Sequence, residues 1–149
     1  MENNNDFEHL KLENQLCFLL YAASREMTKQ YKTLLENLNV TYPQYLVLLL
    51  LWEHERLTVK GMGEMLFLDS GTLTPMLKRM EEQGLIVRER SSEDQRSVFV
   101  TLTENGQSLK QKAADIPERV FSLAGNDEKE SEILRNSLLK LLHNLQSNV

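Results

Sequence analysis

Residues 58–84 read TVKGMGEMLFLDSGTLTPMLKRMEEQG, a pattern of two short helices about a tight turn. Thr58 is an N-cap for a helix over Val59 to Leu66, whose Met62, Met65 and Leu66 share one apolar face. The turn is Phe67 to Asp69. Ser70 to Gln83 follows, with Leu73, Met76, Leu77 and Met80 at i, i+3, i+4 and i+7, and Gly84 stands at the C-cap position that needs a left-handed residue. Two helices joined so closely form a helix-turn-helix. Pro75 conflicts locally with this pattern. Proline is comfortable only in a first turn, so either the regular helix starts near Thr72 or the segment kinks.

Moving outward, Leu85 to Arg90 and Val98 to Leu102 are β-rich segments separated by the polar stretch 91–97, which predicts a hairpin with a charged tip. A hairpin directly after a helix-turn-helix is a wing. On the N-terminal side, Leu12, Leu16, Leu19, Leu20, Leu34, Leu35 and Leu38 recur at helical spacing, giving a long helix from about Leu12 to Leu38 that breaks at Asn39 to Pro43. Gln44 to His54 is almost continuously apolar and reads as a buried helix. On the C-terminal side, Thr103 caps a helix with Glu104 in its first turn, carrying Leu109 and Ala113 past Pro117 toward Leu123. Gly125 and Asn126 break the chain, and a last amphipathic helix spans Asp127 to Leu145. The expected fold is mainly α with a small β-hairpin wing (α+β), with the winged lobe at 41–103 flanked by helical regions at 10–40 and 104–149.

A helix laid in the DNA major groove keeps one face in the core and exposes short polar or cationic residues on the other. The second helix does so with Ser70, Thr72, Thr74, Lys78 and Arg79, small donors and acceptors first and cations further along to meet phosphates. Lys60 lies on the preceding helix. The hairpin adds Arg88, Arg90 and Arg96; an arginine at the tip suits the negative potential of a narrow minor groove, and Asp94 is placed to orient its guanidinium. The competing readings are an ordinary surface helix and a solvated salt bridge in a loop. The net charge of −5 does not exclude a polyanion. Of 17 basic and 22 acidic residues, seven of each fall between Arg56 and Val100, so the negative excess lies wholly in the flanks.

At 149 residues, 41% hydrophobic and 26% charged, the chain has the composition of one globular domain with helical extensions. No stretch reaches the roughly 18 apolar residues of a spanning helix, and the polar N-terminus is unlike a signal peptide, which predicts a cytoplasmic protein without a membrane partner. One cysteine, Cys17, forms no intrachain disulfide, and three scattered histidines predict no metal site. No cofactor is expected.

A lone cysteine on a leucine-rich helix is commonly a small buried hydrophobe. Its neighbours argue otherwise. At about 100° per residue, Tyr21, Ser24, Thr28 and Tyr31 all fall within roughly 40° of Cys17 on one stripe, and phenolic O–H groups are good donors to a thiolate. Tyr31 lies about 21 Å along the helix axis from Cys17, too far to touch it in the same chain. Contact requires the helix to cross its twin in a symmetric dimer. A free thiol, with an ordinary pKa of about 8.5, is only a few per cent thiolate at neutral pH; phenolic donors lower that value, and so does a helix's first turn, where Cys17 sits if Asn14 is the N-cap.

Leu68 to Gly106, LDSGTLTPMLKRMEEQGLIVRERSSEDQRSVFVTLTENG, resembles the winged-helix core of the MarR family. More narrowly, QLCFLLYAASREMTKQY (15–31), TYPQYLVLLLLWE (41–53) and LDSGTLTP are similar to the one-cysteine organic hydroperoxide resistance regulators, the OhrR-like group. The resemblance implies a homodimer whose first and last helices build the interface, and a pseudo-palindromic operator in double-stranded DNA. It further implies Ser70 to Gln83 as recognition helix, Arg96 as wing arginine, and Cys17 as a peroxide sensor hydrogen-bonded by the partner's tyrosines matching Tyr21 and Tyr31, with Tyr42 a further candidate. The expected function is a repressor that leaves DNA when an organic hydroperoxide oxidises Cys17; the sulfenic acid then meets a low-molecular-weight thiol, a backbone nitrogen or more oxidant. Three alternatives stay open: a regulator released by a phenolic or drug-like ligand, a broader redox-responsive regulator of virulence or antibiotic response, and a thiol peroxidase. The last lacks a basic residue on the cysteine stripe and a resolving cysteine.

Overall fold

The computed structural model describes residues 6–148, and the chain divides into two compact units, one ending at Ala114 and one beginning at Asp115. The first holds the winged helix-turn-helix. Its entry is α1, Leu16–Leu34, preceded by a 3-10 turn at Leu12–Asn14 and followed by another at Glu36–Leu38. The expected single helix over 12–38 is thus three pieces. Gln15, not Asn14, is the N-cap, and Asn39 closes the last turn in the left-handed conformation that asparagine tolerates.

Helix α2 spans Tyr42–His54 and begins two residues earlier than its apolar run suggests. Thr41 accepts from the Gln44 backbone N–H while the Gln44 side chain accepts from the Thr41 N–H, a capping box, and Pro43 sits in the first turn where its missing N–H costs nothing. Gln44, Tyr45, Val47, Leu48 and Leu51 are buried.

A strand the sequence did not reveal, β1, Arg56–Thr58, follows. It is too short to show alternation. Helix α3, Val59–Leu66, is capped by Thr58, and the turn to α4, Ser70–Glu82, passes through Phe67 at φ 59°. Asp69 caps α4 through the Thr72 backbone N–H at 2.6 Å. The expected start near Thr72 is corrected: the helix begins at Ser70 and runs on through the proline. Pro75 falls early and on the exposed side, where the carbonyl of Gly71, left without its i+4 donor, faces water. Leu73, Leu77 and Met80 of α4 are fully buried.

Strands β2, Ile86–Arg90, and β3, Val98–Leu102, form the wing, and β1 joins the other edge of β3 to make an antiparallel sheet in the order β1-β3-β2. Leu57 pairs with Val100 and Arg88 with Val100 from the opposite side. Helix α5, Glu104–Ala113, is capped by Thr103, whose hydroxyl also donates to the Gly84 carbonyl at 2.6 Å. Gly106 is buried and a Cβ there would strike the Leu85 carbonyl oxygen, so α5 seats directly on the turn between α4 and β2. The expectation that this helix runs past Pro117 is corrected: α5 ends at Ala113, and α6, Ile116–Ala124, begins afresh with Pro117 in its first turn.

The second unit comprises α6 and α7, Glu128–Ser147, the latter capped by Asp127. Ile133, Leu134, Leu142 and Leu145 of α7 are exposed. No helix among the described residues is long and apolar enough to cross a membrane.

Candidate functional site

The helix-turn-helix and the wing place most of the sequence-derived cations on the surface. Lys60 on α3 and Ser70, Thr72, Thr74, Lys78 and Arg79 on α4 are all exposed. Their hydroxyls are not equally free. Thr74 Oγ1 donates to the Ser70 carbonyl at 2.7 Å, leaving only its acceptor lone pairs for a ligand, and hydrogen bonds from Thr72, side chain first and then backbone N–H, hold the Asp69 carboxyl below the usual range.

Arg88 is placed differently from the expectation. Its backbone N–H and its Nη2 donate to the two carboxylate oxygens of Glu81 at 2.9 and 3.2 Å, and its Nε is buried without a partner among the described residues. Arg88 is therefore a tie between α4 and β2, not an outward cation. The Arg88 backbone N–H, and next its guanidinium, hold Glu81 below the ordinary carboxylate range.

At the wing tip, Arg90 Nη1 donates to the Gln95 carbonyl at 3.1 Å. Asp94 does not orient the Arg96 guanidinium. Its Oδ1 accepts from the Arg96 backbone N–H at 3.0 Å and its Oδ2 accepts from Ser97 Oγ at 3.4 Å, an Asx turn that fixes the tip's backbone and leaves the exposed Arg96 side chain projecting.

On α1, Cys17 is exposed and lies in the first helical turn, the second helical residue after Gln15. Tyr21 is also exposed, and Arg25 donates to its Oη at 3.2 Å with the guanidinium 5.4 Å from the ring centre. A donor on that oxygen leaves the phenolic proton to be given elsewhere. Since one unbroken helix holds both Cys17 and Tyr31, the two stay about 21 Å apart within a chain.

Tyr31 instead packs on Tyr42 and Tyr45 of the same chain, with ring centres 4.5 and 5.8 Å away, and Tyr45 meets Trp52 edge-on at 6.4 Å. Burial, and then the neighbouring phenols of Tyr42 and Tyr45, push Tyr31 up to about 12; burial raises Tyr42 and Tyr45 as well. These phenols keep their protons at any physiological pH. Sequence reasoning missed Tyr45, although it follows the candidate Tyr42 at a helical i+3 spacing.

A cavity of about 840 Å³ opens between α1, α2 and α4, with Thr28, Lys32, Tyr42, Gln44, Arg79 and Gln83 in its lining. Among the described residues no group of three or more His, Cys, Asp or Glu side chains is arranged to hold a metal.

A helix-turn-helix with an arginine-tipped wing, joined to a helix that carries a first-turn cysteine, defines a winged-helix transcriptional regulator. The chain belongs to the family of the transcriptional regulator SarA/Rot, whose profile matches residues 29–113. It is 66% identical over 141 residues to the organic hydroperoxide resistance transcriptional regulator of Bacillus subtilis strain 168, covering 95% of this chain and 96% of that one. Among solved structures it is similar to reduced AbfR bound to DNA, at 39% identity and TM-score 0.77, and to overoxidised AbfR bound to DNA, at 41% and 0.76; each match covers 93% of this chain and 96% of the other, and AbfR is a protein of Staphylococcus epidermidis. The expected resemblance and fold class hold, and these relatives are regulators, not enzymes.

Proposed function

We propose that the chain is a homodimeric repressor that binds a pseudo-palindromic operator and is released when an organic hydroperoxide oxidises Cys17. The observation that carries this reading is the exposed, first-turn Cys17 on the same helix as Tyr31, with a cluster of protonated phenols about 21 Å further along. Crossing two such helices antiparallel brings each cysteine to the partner's phenols. The exposed Leu12, Leu16 and Leu19 beside Cys17, and the exposed leucines of α7, are the apolar surface that such a dimer buries.

The chemistry balances without a cofactor. The Cys17 thiolate sulfur attacks one peroxide oxygen, the O–O bond breaks, and the leaving alkoxide takes a proton to become the alcohol; sulfur is oxidised to the sulfenic acid. A low-molecular-weight thiol then forms a mixed disulfide with loss of water. The larger group displaces the phenols and shifts the two recognition helices from half-sites about one turn apart. On the DNA, Ser70, Thr72, Thr74, Lys78 and Arg79 face the major groove and its phosphates, Lys60 and Arg90 the backbone, and Arg96 the minor groove.

Cys17→Ser provides the test. The variant is expected to shift operator DNA like the parent and to keep it in cumene hydroperoxide, whereas loss of DNA in peroxide at the parent's rate sinks the assignment. The cavity favours a second reading, release by an anionic phenolic ligand, because Arg25, Lys29, Lys32 and Arg79 lie around it. Release of the Cys17→Ser protein by an aromatic carboxylate selects that reading.

A further inference from the structure

Among the described residues Gln44 is the buried polar side chain, 3% exposed, in a core that is otherwise apolar. Two of its bonds make the capping box of α2 and would be made equally well by glutamate. The third has no part in capping. Gln44 Nε2 donates at 3.3 Å to Oε1 of Gln83, the C-cap residue of α4, 39 positions away in sequence.

The same turn also touches the tyrosine cluster. Tyr42 is the first residue of α2, next to the Thr41 cap, and its ring lies 4.5 Å from that of Tyr31 on α1. Four consecutive residues, 41–44, therefore meet the phenols at one end and the recognition helix at the other. Arg79, one turn before Gln83 on α4, lines the cavity between them.

We propose that this capping turn couples the cysteine site to the DNA-reading helix, with Gln44 as a positioning residue that acts on α4 through Gln83. The inference rests on the reading of Cys17 and the tyrosines given above. Because Tyr42 is fixed in the first turn of α2 by Pro43 and the capping box, a displaced Tyr42 ring carries residues 41–44 with it. The Gln44 amide, held at Thr41, then drags or releases Gln83. Coupling of this kind is a free energy shared by two sites, and is measured as a ratio of affinities.

Gln83→Ala removes the acceptor and leaves the capping box whole. Operator affinity is measured for parent, Gln83→Ala and Gln83→Glu, each reduced and after cumene hydroperoxide, and Cys17 oxidation is followed by mass spectrometry. Taking the oxidised-to-reduced Kd ratio divides out any effect on binding itself. The expected result is a ratio at least fivefold smaller for Gln83→Ala at an unchanged oxidation rate, restored by Gln83→Glu, whose carboxylate accepts from Gln44. A Gln83→Ala ratio equal to the parent's, or a Gln83→Glu protein that fails to restore it, overturns the proposal while leaving the sensing reading intact. Parent protein that releases DNA with Cys17 unoxidised overturns both.

Discussion

At the scale of single residues the tyrosines separate into two kinds. Tyr21 is exposed beside Arg25, whereas Tyr31, Tyr42 and Tyr45 pack on one another and are raised, chiefly by burial. A phenol raised from 10 to about 12 contributes stability that is whole below pH 10, where folded and unfolded chains are both protonated. It is lost as pH climbs from 10 to about 12, where only the unfolded chain has given up the proton. Ultraviolet titration should accordingly show the Tyr31, Tyr42 and Tyr45 phenols ionising late, with urea midpoints falling across that window. The absence of any late-ionising tyrosine would mean the cluster does not form. Tyr21 and Tyr31 were legible as candidates because they share a helical stripe with Cys17, and Tyr42 only through the family resemblance. Their grouping was not, since Tyr31 and Tyr42 lie on different helices.

Among the elements, the junction of α4 with the wing is one the sequence misrepresented. Arg88 looks like a third wing cation in the string IVRER, yet the pairing of β2 with β3 turns it back toward Glu81. A strand residue's side follows from register, and register is set by pairing partners that a lone segment does not reveal. Glu81→Ala leaves a half-buried guanidinium without its partner. It should cost about 1 kcal/mol, read as a Tm lower by a few degrees, and weaken operator binding although Glu81 itself repels phosphate. Tighter binding by Glu81→Ala would show that charge, not the tie, governs the wing.

For the whole molecule the proposed function is electrostatic and symmetric together. The proposed dimer presents two wings, so Arg96→Ala removes two cations from the complex. The slope of log K against log salt should flatten by about 2, with an affinity loss of about 1–3 kcal/mol per arginine if it reads the groove. An unchanged slope would place Arg96 away from DNA. Because the chain carries −5 overall, binding that survives at moderate salt depends on where the cations stand and not on their number.

The sequence by itself determined the helix-turn-helix, the wing, the caps at Thr58 and Thr103 and the stripe around Cys17, because each is a local pattern with a fixed period or a short-range hydrogen bond. Tertiary structure alone decided the third strand, the break of the helix before Pro117, the inward turn of Arg88, the use of Asp94 on backbone, and the bond from Gln44 to Gln83. Each of these depends on partners brought together by packing, on pairing register, or on a helix end whose cost is met by a neighbour, and none of those distances is written along the chain.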